Sequence, residues 1–246
     1  MNLSLTSSDD ESITIGMASV PSRMRGMLNN VEQLVSSCDQ FDLYLNGYPK
    51  GFWTKALDDP KINVYRDRDI GAHGKLYMAH RTRGYFITID DDLVYPQGFT
   101  YAMVQAIEKY KREAIVGVHG ALFVQSHDVM QPQSRVLFSH MAYLEHDLPV
   151  HMLGTGIMAY HSDTIMFDWR DMEPGKIDEQ VAIIAQERRI PMLCIAHPDN
   201  WVMEDDNLKF RDCLRRNKEA SAKAVERQQR HWDLYIPQCW KEFERF

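Results

Sequence analysis

Three consecutive carboxylates, Asp90-Asp91-Asp92, follow the apolar run Tyr85-Phe86-Ile87-Thr88-Ile89. Adjacent like charges repel unless they are solvated, protonated or holding a cation. The alternate members Asp90 and Asp92 suit one oxygen-loving divalent ion whose shell is completed by diphosphate oxygens. A second segment, Arg66-Asp67-Arg68-Asp69-Ile70-Gly71-Ala72-His73-Gly74-Lys75, joins two glycines that permit close backbone approach to a lysine suited to a phosphate, in the first turn of a helix expected over 74–83. Its spacing is that of neither a Walker loop nor a dinucleotide fingerprint. Asp178-Glu179 opens a further expected helix, 176–189. Acids there suit the helix dipole and cap, and Asp178 is also a candidate general base for an attacking hydroxyl. His197, in Cys194-Ile195-Ala196-His197-Pro198-Asp199-Asn200-Trp201, is a candidate metal ligand, and Trp201 suits either a sugar ring or the core. No Gly-x-Ser-x-Gly elbow and no His-Glu-x-x-His is present, which argues against serine hydrolases and zincins.

The elements that must position these residues follow from periodicity. Strands are expected over 12–18, 41–45, 62–65, 85–89 and 114–118, a later apolar run at 157–160 after the tight turn Gly154-Thr155-Gly156, and a last strand at 190–195. Met24, Met27, Leu28, Val31, Leu34 and Val35 recur at helical spacing behind Ser22, a candidate N-cap, and 97–112 is a second amphipathic helix. Alternating strands and helices predict an α/β fold, an open, mostly parallel sheet with helices on both faces. Ligands of such sheets bind beyond the C-terminal strand ends, here the loops 18–23, 46–48, 66–75 and 90–96. Residues 120–149 lack a period, carry His127, His140 and His146, and are expected to form a long excursion over the site edge, with a hairpin as one form.

The 246 residues, 44% hydrophobic and 26% charged, suit a soluble globular chain and exclude general disorder. The expected division is a flexible segment 1–11, a catalytic domain 12–204 and a helical C-terminal extension 205–246. No apolar stretch approaches the ~18 residues of a spanning helix, and the polar, acidic start lacks a secretory pattern, so the expected compartment is the cytoplasm. Cys38, Cys194, Cys213 and Cys239 form no Cys-x-x-Cys pair and are read as free thiols. Net charge is −7, yet residues 207–246 hold ten Lys/Arg against six Asp/Glu, so the extension is basic (+4) on an acidic body (−11). Such a body does not suit general nucleic-acid binding. The extension suits peripheral membrane contact, a homodimer interface, or packing back onto the body.

Together these segments resemble glycosyltransferases of the GT-A fold, closest to small bacterial polysaccharide-type transferases related to glycosyltransferase family 2. The resemblance spans about 13–201 and rests on Ala18-Ser19-Val20-Pro21-Ser22-Arg23, Tyr44-Leu45-Asn46-Gly47-Tyr48, Asp69-Ile70-Gly71-Ala72-His73-Gly74-Lys75-Leu76, Asp90-Asp91-Asp92-Leu93-Val94-Tyr95-Pro96, Gly117-Val118-His119-Gly120 and Leu153-Gly154-Thr155-Gly156, in that order. It implies a nucleotide-diphosphate sugar donor and Mn²⁺ or Mg²⁺. It places Ala18, Ser19 and Arg23 near base and ribose, Asp69 and Lys75 near nucleotide and phosphates, and Asp90 at ribose or sugar, with Val20, Asn46, Gly74 and Asp91 as further donor-binding residues. Gly154, Thr155 and Gly156 would line the same site. Asp90, Asp92 and His197 would hold the metal, and Asp178 as base implies inversion. The acceptor is left open among a glycan, a protein and a hydroxylated base. The alternatives are a sugar nucleotidyltransferase and a non-catalytic carbohydrate-binding module derived from a transferase.

Overall fold

The computed structural model describes residues 11–123, 135–173 and 175–205. The elements run β1 (Ile13–Ser19), α1 (Met24–Leu34), β2 (Gln40–Leu45), β3 (Ile62–Tyr65), β4 (Tyr85–Ile89), β5 (Leu93–Val94), α2 (Phe99–Lys109), β6 (Ile115–Gly117), β7 (Gly120–Phe123), β8 (Arg135–Phe138), β9 (Leu148–Pro149), β10 (Met152–Leu153), β11 (Ile157–His161), α3 (Ile177–Glu187), β12 (Met192–Cys194) and β13 (Met203–Glu204). Among the described residues eight strands form one sheet in the order β3-β2-β1-β4-β11-β6-β12-β9. The strands β3, β2, β1 and β4 are mutually parallel, whereas β11 is antiparallel to both β4 and β6. The chain is therefore α/β with a mostly parallel sheet.

Strand alternation sorts the core into two layers. Ile13, Ile15 and Met17 of β1 and Ile87 and Ile89 of β4 face α1 and α2, where Met27, Val31, Leu34, Phe99, Met103 and Ile107 are buried. Burial of each such side chain stabilises the fold by roughly 1.5–3 kcal/mol. On the opposite face Phe86, Met158 and Tyr160 pack against Val181, Ala182 and Ala185 of α3.

Several local expectations are corrected. Ser22 caps nothing: residues 21–23 form a 3-10 turn, and α1 starts at Met24 without a side-chain cap. The helix expected over 74–83 is instead two short 3-10 helices, Gly71–Leu76 and Ala79–Arg81. Sterics explain the first of them. Gly16 of β1 leaves the space into which the Lys75 carbonyl fits, and Gly74 lies so close to the Tyr44 ring that a Cβ there would meet it at 2.8 Å. The segment is thus pressed flat onto the sheet. Residues 120–123 and 135–138 pair as antiparallel strands of a small sheet that also holds β10. His127 and the C-terminal extension beyond 205 lie outside the described residues. No helix among the described residues is long and apolar enough to cross a membrane. Cys38 and Cys194 are buried free thiols.

Candidate functional site

From β1 the chain proceeds to β2 and β3 on one side, and β4 lies on the other. Strand order reverses between β1 and β4, and that is where crevices open beyond the C-terminal ends of such sheets. β1 delivers Ser19 to this point and β4 delivers Asp90, Asp91 and Asp92.

The carboxylate turn is tied down on its main chain. The Tyr95 hydroxyl accepts from the Asp90 amide at 2.7 Å. Asn30 of α1 donates to the Asp90 and Leu93 carbonyls, each at 3.0 Å. The Asp205 amide donates to the Asp92 carbonyl at 2.9 Å. A turn carrying three like charges is thereby held against the backbone motion that would relieve their repulsion.

The side chains are balanced by two cations. Lys75, with its side chain 2% exposed, donates to Asp90 Oδ1. Arg23 lies 3.0 Å from both Asp91 Oδ1 and Asp92 Oδ2. Asp90 and Asp92 remain about one third exposed at 36% and 32%, whereas Asp91 is 4% exposed. Burial and the Asp90 charge push the Asp92 carboxyl up to about 6. Burial also raises Asp91, offset in part by Arg23. Three carboxylates against two cations leave one excess negative charge with two accessible oxygen-bearing side chains. That donor set suits a divalent, oxygen-preferring cation such as Mn²⁺ or Mg²⁺.

On the facing side, Gly156 precedes β11, and a Cβ on it would overlap the Asp90 carboxylate. Thr155 donates to Asp178 Oδ1 twice, from its amide at 2.9 Å and its hydroxyl at 2.6 Å. Asp178 Oδ2 has no hydrogen bond among the described residues. Next to it, burial and the Asp178 charge push Glu179 up to about 7. The turn Gly154-Thr155-Gly156 therefore stands between Asp90 and Asp178 and touches both.

The remaining expected residues are distributed as follows. Asn46 is a loop clamp: it donates to the Gly71 carbonyl at 2.9 Å and accepts from the Ile70 amide at 3.0 Å. Asp69 is exposed and accepts from the Gly71 amide at 2.8 Å. The Ser19 hydroxyl lies 2.9 Å from that of Tyr48, and the latter approaches the Val20 carbonyl at 3.1 Å. Ala18 and Val20 are half-buried at the end of β1.

Three roles are corrected. Lys75 does not stand in the first turn of a long helix facing an anion; it is buried against Asp90. Asp91 is an internal anchor for Arg23, with its side chain turned from solvent. His197 does not join Asp90 and Asp92. Its ring nitrogens face the Ile195 and Ser139 carbonyls at 2.7 and 3.1 Å, and no group of three or more His, Cys, Asp or Glu side chains forms a metal cage among the described residues. Trp201 packs on Phe99, ring centroids 5.7 Å apart, and belongs to the core. Sequence reading missed Asn30, although an asparagine on the apolar stripe of Met27, Val31 and Leu34 is a signal of a buried hydrogen-bonding duty.

The sequence was compared with models of known protein families and with curated proteins, and neither comparison gives a match.

Proposed function

We propose that the chain is a glycosyltransferase of the GT-A type that takes a sugar from a nucleotide-diphosphate donor to an acceptor hydroxyl. The carrying observation is the carboxylate turn Asp90–Asp92 at the β1/β4 reversal, with Asp178 across the Gly154–Gly156 turn. Parallel strands in the order β3-β2-β1-β4 are a nucleotide-binding half-sheet in this reading, and the antiparallel β11 supplies the wall opposite.

Asp90 and Asp92 would hold Mn²⁺ or Mg²⁺. The ion, when bound, supplies Lewis-acid neutralisation of the charge that develops on the departing diphosphate. Arg23 and Lys75 hold the carboxylates in place through their ion pairs. Thr155 engages Asp178 Oδ1 and leaves Oδ2 to accept the acceptor proton. The acceptor oxygen then bonds to the anomeric carbon, the bond from that carbon to the diphosphate oxygen breaks, and the nucleoside diphosphate leaves with the electron pair. A single displacement of this kind inverts the anomeric centre.

A screen of nucleotide sugars tests this. The full-length chain is incubated with each donor and Mn²⁺, and released nucleoside diphosphate is measured. Release from one donor, abolished by Asp92→Asn, is expected. A full donor set that gives no release and no binding would overturn the proposal.

A further inference from the structure

β4 and β11 pair with Ile89 opposite Ile157, so the next rung of that ladder would join Asp90 to Gly156. It is not made directly. The Tyr95 hydroxyl stands in the rung, accepting from the Asp90 amide at 2.7 Å and donating to the Gly156 carbonyl at 2.6 Å. The residue is 1% exposed and its ring packs on Phe99 with centroids 4.8 Å apart.

A direct N–H···O=C bond spans about 2.9 Å. Here the Tyr95 hydroxyl takes the place of that direct bond, joining the two main chains through one oxygen. At the same level the Asp90 side chain lies against the bare Cα of Gly156, where a Cβ would overlap the carboxylate. Gly156 is joined to Thr155, which carries both hydrogen bonds to Asp178.

We infer that Tyr95 is a positioning residue whose hydroxyl, seated as a wedge in the Asp90–Gly156 rung, ties β4 to β11 and thereby fixes the Asp90 carboxylate relative to Thr155 and Asp178. Its functional weight rests on the reading of Asp90 as a cation and donor ligand; the wedge itself does not. Supporting groups behind metal ligands typically change affinity by about 10–100-fold when removed.

The test compares full-length wild type, Tyr95→Phe and Phe99→Leu. Mn²⁺ alone is titrated by calorimetry, and amide resonances are followed by NMR. Tyr95→Phe is expected to weaken Mn²⁺ binding about tenfold or more. It is also expected to move the amide resonances of both Asp90 and Thr155, which sit on the two strands that the hydroxyl bridges. Phe99→Leu removes ring packing, so it is expected to lower the melting temperature with Mn²⁺ affinity unchanged. Wild-type Mn²⁺ affinity in Tyr95→Phe would overturn the positioning role. If wild type binds no Mn²⁺, the cation reading fails, and the wedge is judged by the amide shifts: perturbation confined to the Asp90 side refutes it. Should Tyr95→Phe fail to fold, Gly156→Ala displaces Asp90 from the other strand, and unchanged Mn²⁺ affinity together with an unmoved Thr155 amide would refute the wedge equally.

Discussion

Asp92 holds its carboxyl at about 6 because burial and Asp90 both oppose its charge. Such a group is poised to lose its proton to a cation and unfavourable without one. Asp92→Asn is therefore expected to abolish Mn²⁺ binding and transfer. The same change should stabilise the cation-free protein at pH 8 by about 1–2 kcal/mol, after allowance for the partial exposure of the group. Denaturant unfolding with and without Mn²⁺ separates the two effects. Asp178→Asn tests the base: turnover should fall by about 10²–10⁴-fold with donor affinity little changed. A loss of stability with full turnover would show that the residue serves Thr155 and the helix start alone. The positions of both acids were legible in the sequence, because one follows a strand and the other opens a helix, and the structure keeps them there. His197 was misread because nothing local distinguishes a histidine facing two backbone carbonyls from one facing a metal.

The elements were legible to the degree that their periodicity is local. β3 and β4 span the expected residues, and α1, α2 and α3 lie within a few residues of expectation. The 3-10 helix Gly71–Leu76 was not legible, because its form is set by a distant strand: the Lys75 carbonyl needs the bare Cα of Gly16. Gly16→Ala is expected to destabilise the protein by about 2–4 kcal/mol, as for other overpacked core sites, since backbone and not a flexible side chain blocks the new methyl. Urea unfolding measures it, and a cost below about 0.5 kcal/mol would mean that the 71–76 segment does not bear on β1 as described. The insertion of β11 between β4 and β6 was equally hidden, because strand order is a long-range property that hydrophobic alternation does not encode. That insertion brings Gly156 to Asp90.

At the scale of the molecule, stability should depend on pH most through the carboxyls raised furthest on folding, Asp92 to about 6 and Glu179 to about 7. A raised acid favours the folded state while protonated. Its contribution is fully present below the unfolded pKa, near 4, and is lost as pH climbs through the folded value. Glu179→Gln should therefore leave stability near pH 4 unchanged and add about 2 kcal/mol at pH 8, read from denaturant midpoints across that range. A gain at pH 4 as large as that at pH 8 would contradict the burial assigned to Glu179. On the proposed function, the assembly of sheet reversal, carboxylate turn and facing Asp178 has one central consequence: a nucleoside diphosphate should bind only together with a divalent cation at Asp90 and Asp92. Equilibrium binding of a panel of nucleoside diphosphates, measured by calorimetry with Mn²⁺ and again with EDTA, tests it most directly. Tight binding of one of them with Mn²⁺, lost in EDTA and lost in Asp92→Asn, is the expected result; binding that is equally tight in EDTA, or undiminished in Asp92→Asn, would contradict it.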